Sequence, residues 1–91
     1  PLNLPSTSTS TAKSIEPIII TLTTSHKLYI DNREISADNL SQEVQDIVRT
    51  TPRQAFVIRA SKDVYYNEVI ALLDMLKVNG AKYISVATDR K

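Results

Sequence analysis

The chain has 91 residues and a formal net charge of +1, which limits it to one domain and gives no strong field for nucleic acid or an acidic membrane surface. It contains no cysteine, which excludes disulfides and thiolate metal sites. No apolar run approaches the roughly 18 residues of a membrane span, and because the chain begins at Pro1 rather than Met, we expect it to be a fragment of a longer protein.

Residues 1–17 have the composition of a flexible linker. Ser6–Thr11 is an unbroken run of hydroxyl residues, and Leu2 and Leu4 are almost the only large apolar residues. Such a segment buries too little apolar surface to offset the entropy of ordering it. The two leucines alternate between prolines, which favours an extended backbone, so we single out Leu2, Leu4 and Pro5 as candidates for pairing with a strand.

The first strand is predicted at Ile18–Thr24. Its core face holds Ile18, Ile20 and Leu22, and its outer face holds Ile19, Thr21 and Thr23.

A hairpin is predicted from this strand to Leu28–Ile30 through the turn at Ser25–Lys27. A second turn at Asp31-Asn32, with Asn32 in the left-handed conformation, leads to a short extended piece at Arg33–Ile35.

The first helix is predicted to begin at Ser36, whose side chain caps the N–H of Asn39, and to end before Pro52. Ile35 precedes the cap and is expected to pack on Leu40. The buried stripe consists of Leu40, Val44, Ile47 and Val48.

A strand–helix–strand unit occupies the rest of the chain. The apolar runs Ala55–Ala60 and Tyr83–Thr88 predict parallel strands, and Gly80 closes the helix between them. The apolar spacing predicts a buried stripe at Tyr66, Val69, Ile70, Leu73 and Leu76.

The predicted fold is α+β, in the order β-β-α-β-α-β, with two helices on one face of a mixed sheet of four to five strands. A flexible linker at 1–17 precedes an α/β domain at 18–88, and 89–91 form a tail. In the third strand we expect Phe56 and Ile58 to face the core, because the other register would bury Arg59. The expected core is Ile18, Ile20, Leu22, Leu28, Ile30, Leu40, Val44, Ile47, Val48, Phe56, Ile58, Val69, Leu73, Leu76, Ile84 and Val86.

No residue pattern predicts a catalytic site, a metal site or a bound cofactor. His26 is the sole histidine and is expected to be a solvated turn residue. The single glycine excludes a glycine-rich phosphate loop. Basic and aromatic residues lie close together in the sequence near Tyr65 and Tyr66, and such a combination can bind nucleic acid or sugar. A core position for Tyr66 is the interpretation that we favour.

A second apolar line on the last helix exceeds what the core needs. Ala71, Met75 and Val78 lie roughly opposite Val69 and Leu73 on a helical wheel. Adjacent exposed apolar residues mark interfaces, so Ala71, Met75, Val78 and Tyr83 are our candidate dimer interface.

The segment Ile58–Gly80 resembles the Arg-Ala-Asp-Lys-x-Val-x-Tyr…Met-Asp-x-Leu-x-x-Ala-Gly signature of the ExbD/TolR family. The matching residues are Arg59, Ala60, Lys62, Val64, Tyr66, Asp74, Leu76 and Gly80, whereas Ser61, Leu73 and Asn79 depart from the signature. The resemblance extends to Asn3–Pro5, to the Ile18–Ile35 region and to the last strand, and it is nearer to ExbD than to TolR.

The resemblance implies the periplasmic domain of a single-pass bacterial inner-membrane protein. Its partners would be an ExbB-type channel protein, through a membrane helix that this chain lacks, a second copy of itself, and a TonB-like protein. The proton-motive force would energise the TonB-like protein for uptake of nutrients such as siderophores or haem. The domain would be an interaction module, not an enzyme.

Two alternatives remain open from the sequence. One is a TolR-like domain that binds peptidoglycan. The other is a small enzyme or nucleic-acid-binding domain, disfavoured by the missing acid–base pair, the missing metal ligands and the near-neutral charge. For the partner, we expect a strand to add to the edge strand Ile18–Thr24 through Ile19, Thr21 and Thr23, in competition with the Leu2–Pro5 segment. The edge at Tyr83–Thr88 is the second choice.

The linker composition predicts that residues 2–16 move freely in the isolated domain. Backbone ¹⁵N relaxation is expected to give order parameters for Ser6–Lys13 well below those of the helices. Values as high as those of the helices would contradict the prediction.

Overall fold

The computed structural model describes residues 15–88, so the predicted linker lies almost wholly outside the described residues, as do residues 89–91. Seven elements follow one another: β1 (Ile18–Leu22), β2 (Leu28–Ile30), β3 (Arg33–Ile35), α1 (Ala37–Thr50), β4 (Ala55–Ala60), α2 (Tyr66–Val78) and β5 (Tyr83–Thr88). The extended piece at Arg33–Ile35 is therefore a strand in its own right, which makes the order β-β-β-α-β-α-β.

The strands form one mixed sheet in the order β3-β2-β1-β4-β5. β2 is antiparallel to β1 and β3, whereas β4 is parallel to both β1 and β5. The predicted strand–helix–strand unit is confirmed, because β4 and β5 are parallel and α2 connects them.

The expectation that β1 is an edge strand is wrong. β1 pairs with β2 on one side and with β4 on the other, so its backbone has no free side for an added strand. The apolar content of β1 explains this position, because Ile20 lies beside Ile58 at the centre of the sheet and both are fully buried. The edges of the sheet are β3 and β5.

Both helices cover one face of the sheet. In β4, Phe56, Ile58 and Ala60 are buried and Arg59 is exposed, which confirms the predicted register. The same core cluster contains Leu40 and Val44 of α1, together with residues of α2. The other face of the sheet carries no helix among the described residues.

Local signals fix both ends of α1. The Ser36 side chain accepts a hydrogen bond from the backbone N–H of Asn39 at 3.2 Å, as predicted, and the helix ends at Thr50, shortly before Pro52. Leu40 and Val44 are fully buried, and Ile35 before the cap is also buried. The cap and the apolar stripe therefore place α1 on the sheet.

The C-terminal end of α2 depends on Gly80. Its φ is +107°, and the backbone N–H groups of Gly80 and Ala81 donate to the carbonyls of Lys77 and Leu76, the pattern of a Schellman motif. A Cβ at this position would lie 3.3 Å from Cγ1 of Val48, so the glycine also permits the close approach of α1.

The buried face of α2 is rotated from the predicted one. Val69, Leu72 and Leu76 are buried, so Leu72 belongs to the core that we expected to centre on Leu73. Leu73 and Met75 are both partly buried and pack against the core. The cause is that α2 is apolar on more than one side, so the spacing of its apolar residues is compatible with more than one buried face.

Two further expectations about side chains are wrong. Tyr66 is 77% exposed and Val86 is 46% exposed, so neither occupies the buried position that its spacing predicts. In the turn after β2, the left-handed residue is Asp31, with φ of +55°, rather than Asn32.

The structure predicts that truncation of Leu72 destabilises the domain far more than truncation of Val78. Leu72→Ala is expected to lower the free energy of unfolding by about 2–4 kcal/mol, because it leaves a cavity between α2 and the sheet. Val78 is 84% exposed, so Val78→Ala should change it by less than about 0.5 kcal/mol. Urea denaturation measures both free energies of unfolding. Equal losses would show that the buried face of α2 is assigned to the wrong residues.

Candidate interaction surfaces

The strand β5 forms one edge of the sheet. It pairs residue by residue with β4 along its six residues, and with no other strand among the residues that the structure describes. In a strand with one neighbour, the backbone groups on the other side have no ladder partner. β5 therefore offers a row of N–H and C=O groups to an incoming strand.

The composition of β5 leaves this edge unprotected. Tyr83–Thr88 contains no charged residue and no proline, which are the usual means of preventing edge pairing. The opposite edge, β3, has only three residues, and two of them are the exposed Arg33 and Glu34. Arg33 is also fixed to α1 by an ion pair with Glu43 at 2.7 Å. Strand addition is thus favoured at β5 and disfavoured at β3.

One flank of α2 carries a further set of large apolar and aromatic side chains. By helical spacing, Tyr66, Ile70 and Leu73 lie at i, i+4 and i+7, on the flank opposite Ala71 and Met75. Because Ala71 and Met75 line a groove with residues of β1 and β2, we infer that the flank of Tyr66 is turned toward the β5 side of the sheet. Tyr66 is 77% exposed, and Val86 of β5 is 46% exposed. We call β5 together with these side chains the edge surface; its members are Tyr66, Ile70, Leu73 and Tyr83–Thr88.

An apolar groove lies on the other flank of α2, next to the β1–β2 hairpin. Its volume is about 450 Å³, and its lining residues are Leu22, His26, Leu28, Ala37, Glu68, Ala71, Leu72 and Met75.

A contact between the hairpin and α2 lies at the rim of this groove. Nδ1 of His26 is 3.1 Å from Oε1 of Glu68, across 42 residues of sequence. His26 has a φ of +68°, and its side chain is 71% exposed. No sequence pattern marks this pair, because only the fold brings the β1–β2 turn to the first turn of α2. A side-chain contact this exposed contributes little to stability.

The start of β1 is held from the β4 side by Gln54. Gln54 is 7% exposed, and its Nε2 donates to the backbone carbonyls of Glu16 at 2.7 Å and Ala55 at 3.0 Å. This amide therefore links the segment before β1 to the first residue of β4. No sequence pattern marked Gln54, because its partner is 38 residues away.

The start of β1 is held from the β2 side by Asp31. The backbone N–H of Asp31 donates to the carbonyl of Ile19 at 2.7 Å, and its carboxylate accepts from the N–H of Ile19 at 3.2 Å. The left-handed backbone of Asp31 allows one residue to make both contacts.

Of the candidate residues for partner binding, those that the structure describes do not lie on a sheet edge. Leu2, Leu4 and Pro5 lie outside the described residues. Ile19 and Thr21 are half-buried on the sheet face without helices. Thr23 lies beyond the end of β1, where its hydroxyl accepts from the backbone N–H of Lys27 at 3.1 Å.

The candidate dimer residues lie at three places. Ala71 and Met75 line the groove, whereas Val78 is 84% exposed near the end of α2. Tyr83 is 51% exposed at the start of β5. The dimer interface stays a prediction.

Neither a membrane helix nor a metal site is found in the part of the chain that the structure describes. Between residues 15 and 88, neither helix has the length and hydropathy of a membrane span. In the same range, no three side chains of His, Asp or Glu gather as cation ligands.

The comparisons with known proteins agree with one another. The family model described as biopolymer transport protein ExbD/TolR matches residues 1–91. A Synechocystis protein that carries the ExbD name is 29% identical over 87 residues, which are 96% of this chain and 32% of that protein. The biopolymer transport protein exbD2 of Vibrio cholerae is 21% identical over 98% of this chain and 66% of its own length.

A third relative, the biopolymer transport protein ExbD of Aquifex aeolicus, is 26% identical over the whole chain and 67% of its own length. The chain thus spans between a third and two thirds of the length of these relatives. Because the family model matches every residue, from the segment before β1 to the end of the chain, the chain belongs to the ExbD/TolR family of biopolymer transport proteins.

Proposed function

We propose that this chain is the periplasmic interaction module of an energy-transducing complex of the ExbB–ExbD–TonB type in a bacterial inner membrane. In such a complex the proton-motive force drives outer-membrane uptake of nutrients such as siderophores or haem. An ExbB-type channel protein would be reached through a membrane helix outside this chain, and a TonB-like protein would bind the domain itself. Membership of the ExbD/TolR family supports this role.

The observation that carries the proposal is the unprotected edge strand β5. An extended peptide that adds to a sheet edge gains backbone hydrogen bonds, and its alternate side chains contact the neighbouring surface. On the edge surface, those side chains would meet Val86 and the exposed Tyr66. The open edge therefore supports a role of the domain as a binding module.

The expected chemistry of a TonB-like partner fits an edge rather than an internal position. By the family resemblance, its periplasmic stretch is extended and rich in proline. Because proline lacks an N–H, a strand that contains it is confined to sheet edges. Such a strand can add to β5 and become the new edge, whereas no strand can add to β1, which already has two neighbours.

Matched substitutions of valine by lysine test the site. Val86→Lys is expected to weaken binding of a synthetic peptide from the proline-rich stretch of a TonB-like protein by roughly tenfold, because it replaces an apolar contact with a charge that binding would desolvate. Val78→Lys makes the same chemical change on an exposed part of α2 and should leave the affinity unchanged. NMR titration measures both affinities, and denaturation confirms that both variants fold.

Chemical-shift changes are expected along Tyr83–Thr88 and α2. If the peptide leaves Tyr83–Thr88 unperturbed, or if both lysine variants lose affinity equally, strand addition at β5 is contradicted. Binding of the domain to isolated peptidoglycan sacculi, with no response to the peptide, would instead assign a TolR-like function.

Self-association is a separate part of the proposal. Val78 is among the most exposed apolar side chains of the domain, and on the helical wheel it lies in line with Ala71 and Met75. A second copy could cover this line of α2. The area is small, so the dimer would be weak.

The domain is therefore expected to form a dimer at millimolar concentration that Val78→Lys abolishes and Val86→Lys preserves. Sedimentation equilibrium of the wild type and both variants measures this. A wild type that stays monomeric contradicts the proposal, and a dimer lost only in Val86→Lys would place the contact on the edge surface.

A further inference from the structure

We propose that the parallel strands β1, β4 and β5 form a force-bearing unit, which carries tension from the segment before β1 to a protein strand bound along β5. This inference rests on the proposed function, because it concerns what the domain does while the partner is bound. Three observations carry it: the direction of the strands, the burial of residues in β1 and β4, and the contacts that hold the start of β1.

The first observation is the direction of the strands along the path of the load. β1 pairs in parallel with β4 over five residue pairs, and β4 pairs in parallel with β5 over six. The start of β1 and the end of β5 therefore lie at opposite ends of the sheet, about 15–20 Å apart along the strands. Tension between these two points acts along the strands and loads all the hydrogen bonds of both ladders at once.

The second observation is the burial of the residues that would have to move. A slip of one residue between parallel strands turns every side chain to the other face of the sheet. Such a slip of β1 against β4 would drive Ile20 out of the core in which Phe56 and Ile58 are fully buried. β1 therefore cannot slide along β4 by small steps at low cost, and the barrier to rupture of this pair under shear is high.

The third observation is that the loaded end of β1 is fixed on both sides. Gln54 holds the carbonyl of Glu16 at 2.7 Å from the β4 side, and Asp31 holds both backbone groups of Ile19 from the β2 side. These contacts lie where tension from the preceding segment first meets the sheet. They would transfer the load to two neighbouring strands before β1 can peel away.

Tension in another direction provides the control. Residues 15 and 32 lie at the same end of the sheet, since Asp31 pairs with Ile19. A force between them separates β2 from β1 one residue pair at a time and requires no slip in register. The same domain should therefore resist this force much less.

The experiment is single-molecule force spectroscopy on the full chain, with handles on introduced cysteines. The chain contains no cysteine of its own, so each pair is unique. The pair Ile15→Cys and Thr88→Cys loads the parallel strands in shear, and the pair Ile15→Cys and Asn32→Cys peels the hairpin. Forced unfolding reports the height of the barrier along the chosen direction.

The unfolding force is expected to be several-fold higher for the 15–88 pair than for the 15–32 pair at the same loading rate. Equal forces, or a lower force for the 15–88 pair, would overturn the proposal. Urea denaturation of both double variants checks that they have the same stability, so that only the direction of the load differs.

A second comparison tests the role of Gln54. Gln54→Met keeps the volume of the side chain but removes the N–H donor, and it is expected to lower the force for the 15–88 pair. It should leave unchanged the force for the 32–88 pair, which loads the sheet through β2 and bypasses Glu16. Gln42→Met on the exposed face of α1 is the matched control and should change neither force.

Equal losses for Gln54→Met in both directions would show that Gln54 only stabilises the fold and does not carry the load. These measurements contain no partner, so a failure here leaves the binding site on β5 intact. Conversely, if the peptide titration shows no binding at β5, the proposed partner site is contradicted, but the measured mechanical resistance of the sheet still stands.

Discussion

The parallel pairing of β1 with β4 is the contact on which the rest of the domain depends. It places Ile20 beside Ile58 at the centre of the sheet, where both side chains are fully buried. Because parallel neighbours require a long crossover, the chain passes through β2, β3 and α1 between β1 and β4. The same pairing makes β1 internal and leaves β3 and β5 as the edges.

The two edges differ in a way that bears on function. The short strand β3 carries Arg33 and Glu34, and Arg33 is tied to α1 by its ion pair with Glu43. The longer strand β5 carries neither charge nor proline along its length. A domain that only had to stay monomeric would gain from protecting both edges. The bare edge is therefore consistent with a site for a partner strand, as we propose for this member of the ExbD/TolR family.

A short path through the sheet connects the segment before β1 with the edge strand β5, because only β4 lies between β1 and β5. That path crosses only the pairs β1–β4 and β4–β5, both parallel, and it begins where Gln54 and Asp31 hold the backbone. The proposed binding at β5 and the proposed attachment before β1 would thus be linked through β1 and β4, whose Ile20, Phe56 and Ile58 are fully buried. In the proposed role, the domain would connect a partner strand bound along β5 with the segment before β1.

The local elements of this domain can be predicted from its sequence, whereas their arrangement depends on contacts between distant segments. The cap at Ser36, the end of α1 before Pro52 and the turn at Gly80 follow from residues within a few positions of each other, so they were predictable. The order of the strands was not, because pairing is a contact between distant segments, and for that reason β1 was placed at an edge.

The sequence leaves the buried face of α2 ambiguous, because several of its faces are apolar. Only packing against the sheet shows that Leu72 belongs to the buried face. The contacts of Gln54 and His26 span 38 and 42 residues, so the fold alone creates them.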